Sequence, residues 1–130
     1  MKNILLVDDD KSILTLLQLS LERDGYSIDA CSDPVKALSL LQDKEYQLLI
    51  SDYVMEDVNG VHLLDFARQI QPACVRILLT GSTSVEMFKS AINNSQIYKF
   101  LDKPVDVNEL VLVAEQALEH QQTLQSAYQE

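Results

Sequence analysis

Three carboxylates stand in a row at Asp8, Asp9 and Asp10, directly after the apolar run NILLV (Asn3–Val7). Another, Asp52, follows QLLIS (47–51). Thr80, with Gly81 and Ser82, closes VRILLT (Val75–Thr80), and Lys103-Pro104 comes just after IYKFL (97–101). Carboxylates, a hydroxyl and an ammonium at the ends of separate apolar runs suit phosphoryl transfer, which needs positioning and charge neutralisation above all. A carboxylate can be the nucleophile and form an acyl phosphate. Mg²⁺ takes oxygen ligands and keeps several waters, so two or three protein oxygens suffice. Asp9 and Asp52, with a backbone carbonyl just past Asp52, would supply them. Lys103 would balance charge on the phosphoryl oxygens, and Thr80 would donate a hydrogen bond to one of them. Singly, each residue has a plainer reading. Asp8 to Asp10 suit the positive end of a helix dipole, Asp52 a loop, Thr80 a strand end, Lys103 solvent and Phe100 a core. Their convergence at one edge of a sheet is what points to chemistry.

That convergence depends on the elements. The four runs named above are short and rich in branched residues, and YSIDAC (26–31) is a weaker fifth strand. Runs apolar on both faces suit a parallel sheet covered on both sides. Between them lie helical stripes: Leu14, Leu17 and Leu21; Val35, Leu38 and Leu41; Leu64, Ala67 and Ile70; Val85, Phe88 and Ile92; a fifth begins near Val107. Gly25 can end the first helix in a left-handed conformation. Asp33-Pro34 reads as an N-cap followed by proline at the first helical position. Thr83 with Glu86, and Asp106 with Glu109, have capping-box spacing. Five βα units with short loops imply a doubly wound α/β sheet, whose ligands bind beyond the carboxyl ends of the strands.

Composition narrows the classes. The chain of 130 residues is 47% hydrophobic, enough for one domain without disulfides or structural metal. Ten basic against 20 acidic residues give a net charge of −10, which opposes direct contact with nucleic acid or anionic lipid. No apolar run approaches the ~20 residues of a membrane span, and an apolar strand so close to Met1 leaves no room for a signal peptide. Cys31 and Cys74 lack ligand spacing and are expected as buried thiols of a cytoplasmic protein. His62 and His120 match no ligand spacing and are expected on the surface.

On these motifs the chain resembles the receiver domains of two-component response regulators. LLVDDD is similar to the family's acidic first strand, and LLISDYVMEDVNG to its phosphoacceptor segment, with Met55 and Gly60. ILLTGS is similar to its fourth strand and KFLDKP to its fifth. The resemblance runs from residue 2 to about 118. It implies a five-stranded, flavodoxin-like (βα)5 fold of strand order 2-1-3-4-5. It implies that Asp52 accepts the phosphoryl group, and that Asp8, Asp9, Asp52 and the Val54 carbonyl hold Mg²⁺ or Mn²⁺. Thr80 and Lys103 would bind the phosphoryl group, Thr80 and Phe100 would form the switch, and Val54 and Ser82 would tune hydrolysis. Pro104 would be structural, in a cis Lys103-Pro104 peptide. The implied partners are a histidine kinase or histidine phosphotransfer protein. The fourth helix, fifth strand and fifth helix would form a dimerisation face. Phosphorylation and dephosphorylation would be self-catalysed, without a conventional enzyme activity. Glu56 departs from the family's proline after Met55, which should loosen that loop. AINNSQIYKFLDKPVD resembles receivers joined to cyclic-dinucleotide enzymes or hybrid kinases.

Three rivals are weaker. A haloacid dehalogenase-type phosphohydrolase would use Asp8 as nucleophile, but needs another acidic pair after the lysine strand and a cap after the first. A receiver-like module without turnover typically loses one of Asp9, Asp52, Thr80 and Lys103. A flavin-binding domain needs a Ser/Thr/Gly-rich first loop. The receiver domain is expected over 1–118, with a helical extension over 119–130 leading to an output domain. Helix-favouring residues continue to 129 without glycine or proline. Leu110, Ala114, Ala117, Gln121, Leu124 and Tyr128 repeat there in steps of four and three, as a coiled-coil seam does.

Overall fold

The computed structural model describes residues 2–52, 60–81 and 97–128. Five strands, β1 (Asn3–Val7), β2 (Ser27–Cys31), β3 (Leu48–Asp52), β4 (Val75–Thr80) and β5 (Lys99–Asp102), form one parallel sheet in the order β2-β1-β3-β4-β5. The described helices are α1 (Lys11–Glu22), α2 (Pro34–Asp43), α3 (Gly60–Ile70) and α4 (Val107–Tyr128). The predicted helix around Val85, Phe88 and Ile92, with its Thr83–Glu86 cap, lies outside the described residues, as do Val54, Met55, Glu56 and Ser82. The expected doubly wound architecture and strand order are present.

Side chains alternate along each strand, so each face of the sheet builds its own core. Ile4, Leu6, Leu48, Ile50, Ile77 and Leu79 pack under α1 and α4, against Leu14, Leu17, Leu21, Leu110, Ala114 and Ala117. Leu5, Val7, Leu49 and Leu78 meet Ala37, Leu41, Leu63, Leu64 and Ala67 of α2 and α3. Cys31 and Cys74 are buried free thiols in this second core, and burial pushes the Cys74 thiol up to about 12.

The caps explain the helix boundaries. Asp10 opens α1 by accepting from the Ser12 and Ile13 amides at 3.0 and 3.3 Å. Asp33 accepts from the Val35 amide at 3.0 Å with Pro34 at the first helical turn, and Asp106 accepts from the Asn108 and Glu109 amides. Gly25 takes φ 89°, the left-handed conformation expected after α1.

Some expectations shift. β3 and β5 run over Leu48–Asp52 and Lys99–Asp102 rather than 47–51 and 97–101, so Asp52 is the last residue of its strand, while Thr80 ends β4 as predicted. In α2 the buried stripe is Pro34, Ala37 and Leu41, while Val35 is 50% exposed. The N-terminal proline turns inward and sets the helix phase. Ile70, the last residue of α3, is 41% exposed. Leu110, Ala114, Ala117 and Gln121, four of the predicted seam residues, are buried in the domain itself, and Leu124 packs against its core. His62 and His120 are exposed, although the His120 ring stacks on Tyr98 at 5.2 Å between centroids.

Gln71, just past α3, ties the lower loops together. Its Oε1 accepts from the Tyr46 amide at 2.8 Å, and its Nε2 donates to the Leu41 and Lys44 carbonyls at 2.6 and 2.7 Å. Gln71→Ala leaves these backbone groups without that partner. Urea denaturation should show a loss of about 2 kcal/mol.

Candidate functional site

Parallel strands ending at one edge put their next side chains within reach of each other. Asp8 follows β1, Asp52 ends β3, Thr80 ends β4 and Lys103 follows β5. The register sets their height: Asp52 lies opposite Leu79, one residue short of Thr80, and Thr80 lies opposite Asp102. The Lys103 amide donates to the Thr80 carbonyl at 2.7 Å, which extends the β4–β5 ladder to the lysine. The Lys103–Pro104 peptide is cis, as the resemblance implied.

The Lys103 ammonium joins two buried carboxylates, with Nζ 2.9 Å from Asp8 Oδ2 and 3.1 Å from Asp52 Oδ1. Asp8 is fully buried, and its other oxygen accepts from the Asp10 amide at 2.9 Å. Asp10 thus both caps α1 and aims Asp8. The sequence signal was available, since an aspartate directly before a helix reads as a cap. Asp9 is exposed at the mouth of the site. Oxygens of Asp8, Asp9 and Asp52 lie within 4.8 Å of one another. Hard oxygen donors at that spacing suit a small divalent cation such as Mg²⁺ or Mn²⁺.

Burial raises the pKa of Asp52 above the ordinary carboxylate range, and the neighbouring Asp8 charge raises it further. The Lys103 hydrogen bond and charge offset only part of this, and Asp9 adds to the rise. For Lys103, burial opposes the ammonium, but the hydrogen bonds and charges of Asp8 and Asp52 together leave its pKa raised. Among these described groups the negative charges outnumber the positive one, so the site attracts a cation.

Thr80 is 4% exposed. Phe100, on β5, is half-buried against the α2–α3 core. The structure therefore brings Asp8, Asp9, Asp52 and Lys103 together at one edge, with Thr80 and Phe100 on the two strands beside them. Val54 and Ser82 fall outside the described residues.

Residues 4–115 match the response regulator receiver domain family. The transcriptional regulatory protein GlrR of Escherichia coli is 34% identical over 117 residues, covering 90% of this chain and 26% of its own length. The chain thus spans about a quarter of the curated relatives it matches. The signal receiver domain of an HD domain-containing protein from Pseudomonas fluorescens is 39% identical, with a TM-score of 0.90 over 96% of this chain and 92% of that one. A CheY-like receiver domain protein from Methanospirillum hungatei is 28% identical, with a TM-score of 0.88 over 95% and 98% of the two chains. Strand order, strand-end residues and sequence similarity agree, and the chain belongs to the response regulator receiver domain family of two-component systems.

Proposed function

We propose that Asp52 is the phosphoacceptor of this domain and that its partner is a histidine kinase or histidine phosphotransfer protein. The observation that carries this reading is the Lys103 ammonium held between Asp8 and Asp52 at the strand ends. In the reaction an Asp52 carboxylate oxygen bonds to phosphorus while the phosphorus–nitrogen bond of the donor's phosphohistidine breaks. The electron pair returns to the donor imidazole. Asp8, Asp9, Asp52 and the Val54 carbonyl would hold Mg²⁺ or Mn²⁺, which supplies charge neutralisation at the phosphoryl oxygens. Lys103 moves its charge from carboxylate to phosphoryl oxygen, and the Thr80 hydroxyl donates to another. The domain accelerates its own phosphorylation and dephosphorylation and turns over no separate substrate. Val54, two past the acceptor, and Ser82, two past Thr80, tune the lifetime of the acyl phosphate.

The output is a change of shape. Phosphoryl oxygens draw Thr80 inward and free space into which Phe100 rotates, which biases a two-state element of the fourth helix predicted from the sequence, β5 and α4. That face is the proposed dimerisation surface. The receiver proper occupies 1–118, and the extension 119–130 leads to an output domain. Relatives such as GlrR, named transcriptional regulators and far longer than this chain, support that arrangement. The acidic surface, with a net charge of −10, keeps this segment itself off nucleic acid. Among the described residues no helix is long and apolar enough to cross a membrane. The setting proposed is the cytoplasm.

Acetyl phosphate with Mg²⁺ should label Asp52 alone, as peptide mapping by mass spectrometry would reveal. Asp52→Asn should abolish the label, because an amide is a poor nucleophile, and EDTA should abolish it in the unaltered protein. Persistence of the label in Asp52→Asn would overturn the assignment.

The crowding of carboxylates predicts a second result. Removing one negative charge relieves Asp8, so Asp52→Asn should raise the melting temperature of the metal-free protein at neutral pH by a few degrees. Mg²⁺ should stabilise the unaltered protein and have a smaller effect on the variant. Calorimetry with and without EDTA reads both.

The switch is tested with beryllofluoride as a phosphoryl mimic. Thr80→Ala should bind it yet lose most of the backbone amide shift changes around Phe100. Equal responses in variant and unaltered protein would separate Thr80 from the switch.

A further inference from the structure

The floor of the sheet, opposite the end that carries Asp52 and Thr80, contains an opening of about 280 Å³. It lies between the segments leading into β3 and β4 and the last turns of α4. Glu45, Ile70, Pro72, Ala73, Gln121 and Gln125 are among the residues that line it. Gln121 continues the buried stripe of α4, where Leu110, Ala114 and Ala117 are apolar, and it is itself only 2% exposed. Its Nε2 donates to Gln125 Oε1 at 2.9 Å. Its own Oε1 is buried and accepts no hydrogen bond.

A buried amide oxygen without a donor is unfavourable, and a leucine at the same place would avoid the cost. What this oxygen needs is a donor. Exposed Glu45 and the net charge of −10 favour a donor with positive charge. Ile70, Pro72 and Ala73 favour an apolar stem behind that charge. At about 280 Å³ the opening lies at the small end of ligand pockets, which suits a small group rather than a drug-sized one.

We propose that this opening binds a guanidinium group on a short apolar stem, with N–H groups donated to Gln121 Oε1 and the charge facing Glu45. A guanidinium is more weakly hydrated than an ammonium and carries five N–H donors in a plane, so it suits a partly dry site. Gln121 lines the opening, and in the bound state its amide turns to bring the oxygen to the guanidinium, giving up the Nε2 bond to Gln125. The group comes either from a free small guanidine or from an arginine of a partner protein. This site does not rest on the chemistry at Asp52.

The test is an NMR titration of the full chain with n-butylguanidinium, following the side-chain amides of Gln121 and Gln125. Saturable shifts are expected. Butyltrimethylammonium, which has the charge but no N–H, should leave these amides unmoved. Gln121→Leu should fold at least as stably by thermal melting and bind about tenfold more weakly or not at all, since the acceptor is gone. A short neutral peptide with one central arginine distinguishes the sources. Tighter binding of the peptide points to a partner's arginine, and tighter binding of n-butylguanidinium to a free ligand. Absence of saturable shifts with either probe would overturn the proposal. So would equal shifts with butyltrimethylammonium, or unchanged binding by a folded Gln121→Leu.

Discussion

One ammonium between two buried carboxylates governs this edge of the molecule. Asp8 is fully buried and Asp52 nearly so, and carboxylates in such a place need a cation close by. Lys103 supplies it from the far side of the sheet, 95 residues along the chain from Asp8. The contact therefore exists only when β1, β3 and β5 end at the same level. That level is set by apolar side chains deep in the two cores, and by backbone ladders whose last rungs hold Asp52 and Thr80 in register. The packing of Leu49 and Leu78, or of Ile50 and Ile77, is thus a condition for the position of charges at the rim.

The same interaction leaves the site unfinished by design of its charges. Asp8, Asp9 and Asp52 together exceed what one lysine compensates, and the raised pKa of Asp52 is the mark of that imbalance. A domain that needed only stability would be better served by apolar residues here. The imbalance is tolerable because Asp8 is held at both oxygens, by Lys103 and by the Asp10 amide, and Asp10 is in turn fixed as the cap of α1. Rigidity below the rim permits excess charge at it.

The candidate site was legible in the sequence because strand ends are legible. Apolar runs of five or six residues stop where a carboxylate, a hydroxyl or a lysine begins, and a parallel sheet collects those stops on one side. The fold followed from the same alternation of runs and stripes. What escaped was three-dimensional. Gln71 gave no local sign that it would close the loops beside Tyr46, since its partners are 25 to 30 residues away. Val35 belonged to a correct helix with the wrong phase, because Pro34 rather than Val35 turns to the core. The steps of four and three along α4 are compatible with a partner helix or with the chain's own sheet, and periodicity alone does not choose between them. Leu110, Ala114 and Ala117 face the sheet.

The two outermost strands have a consequence of their own. Among the described residues β2 and β5 each have one unpaired side, and a parallel sheet so rich in leucine, isoleucine and valine would be a template for further strands if those sides were long and bare. Neither is. β5 has only four residues, and the charged Lys99 and Asp102 at its ends are exposed. β2 carries Asp29 at its centre, where Lys44 and Tyr46 hold the carboxylate at 2.8 and 2.6 Å. Short length at one margin and a pinned charge at the other discourage strand-to-strand aggregation, so a chain with so apolar a centre can remain dispersed.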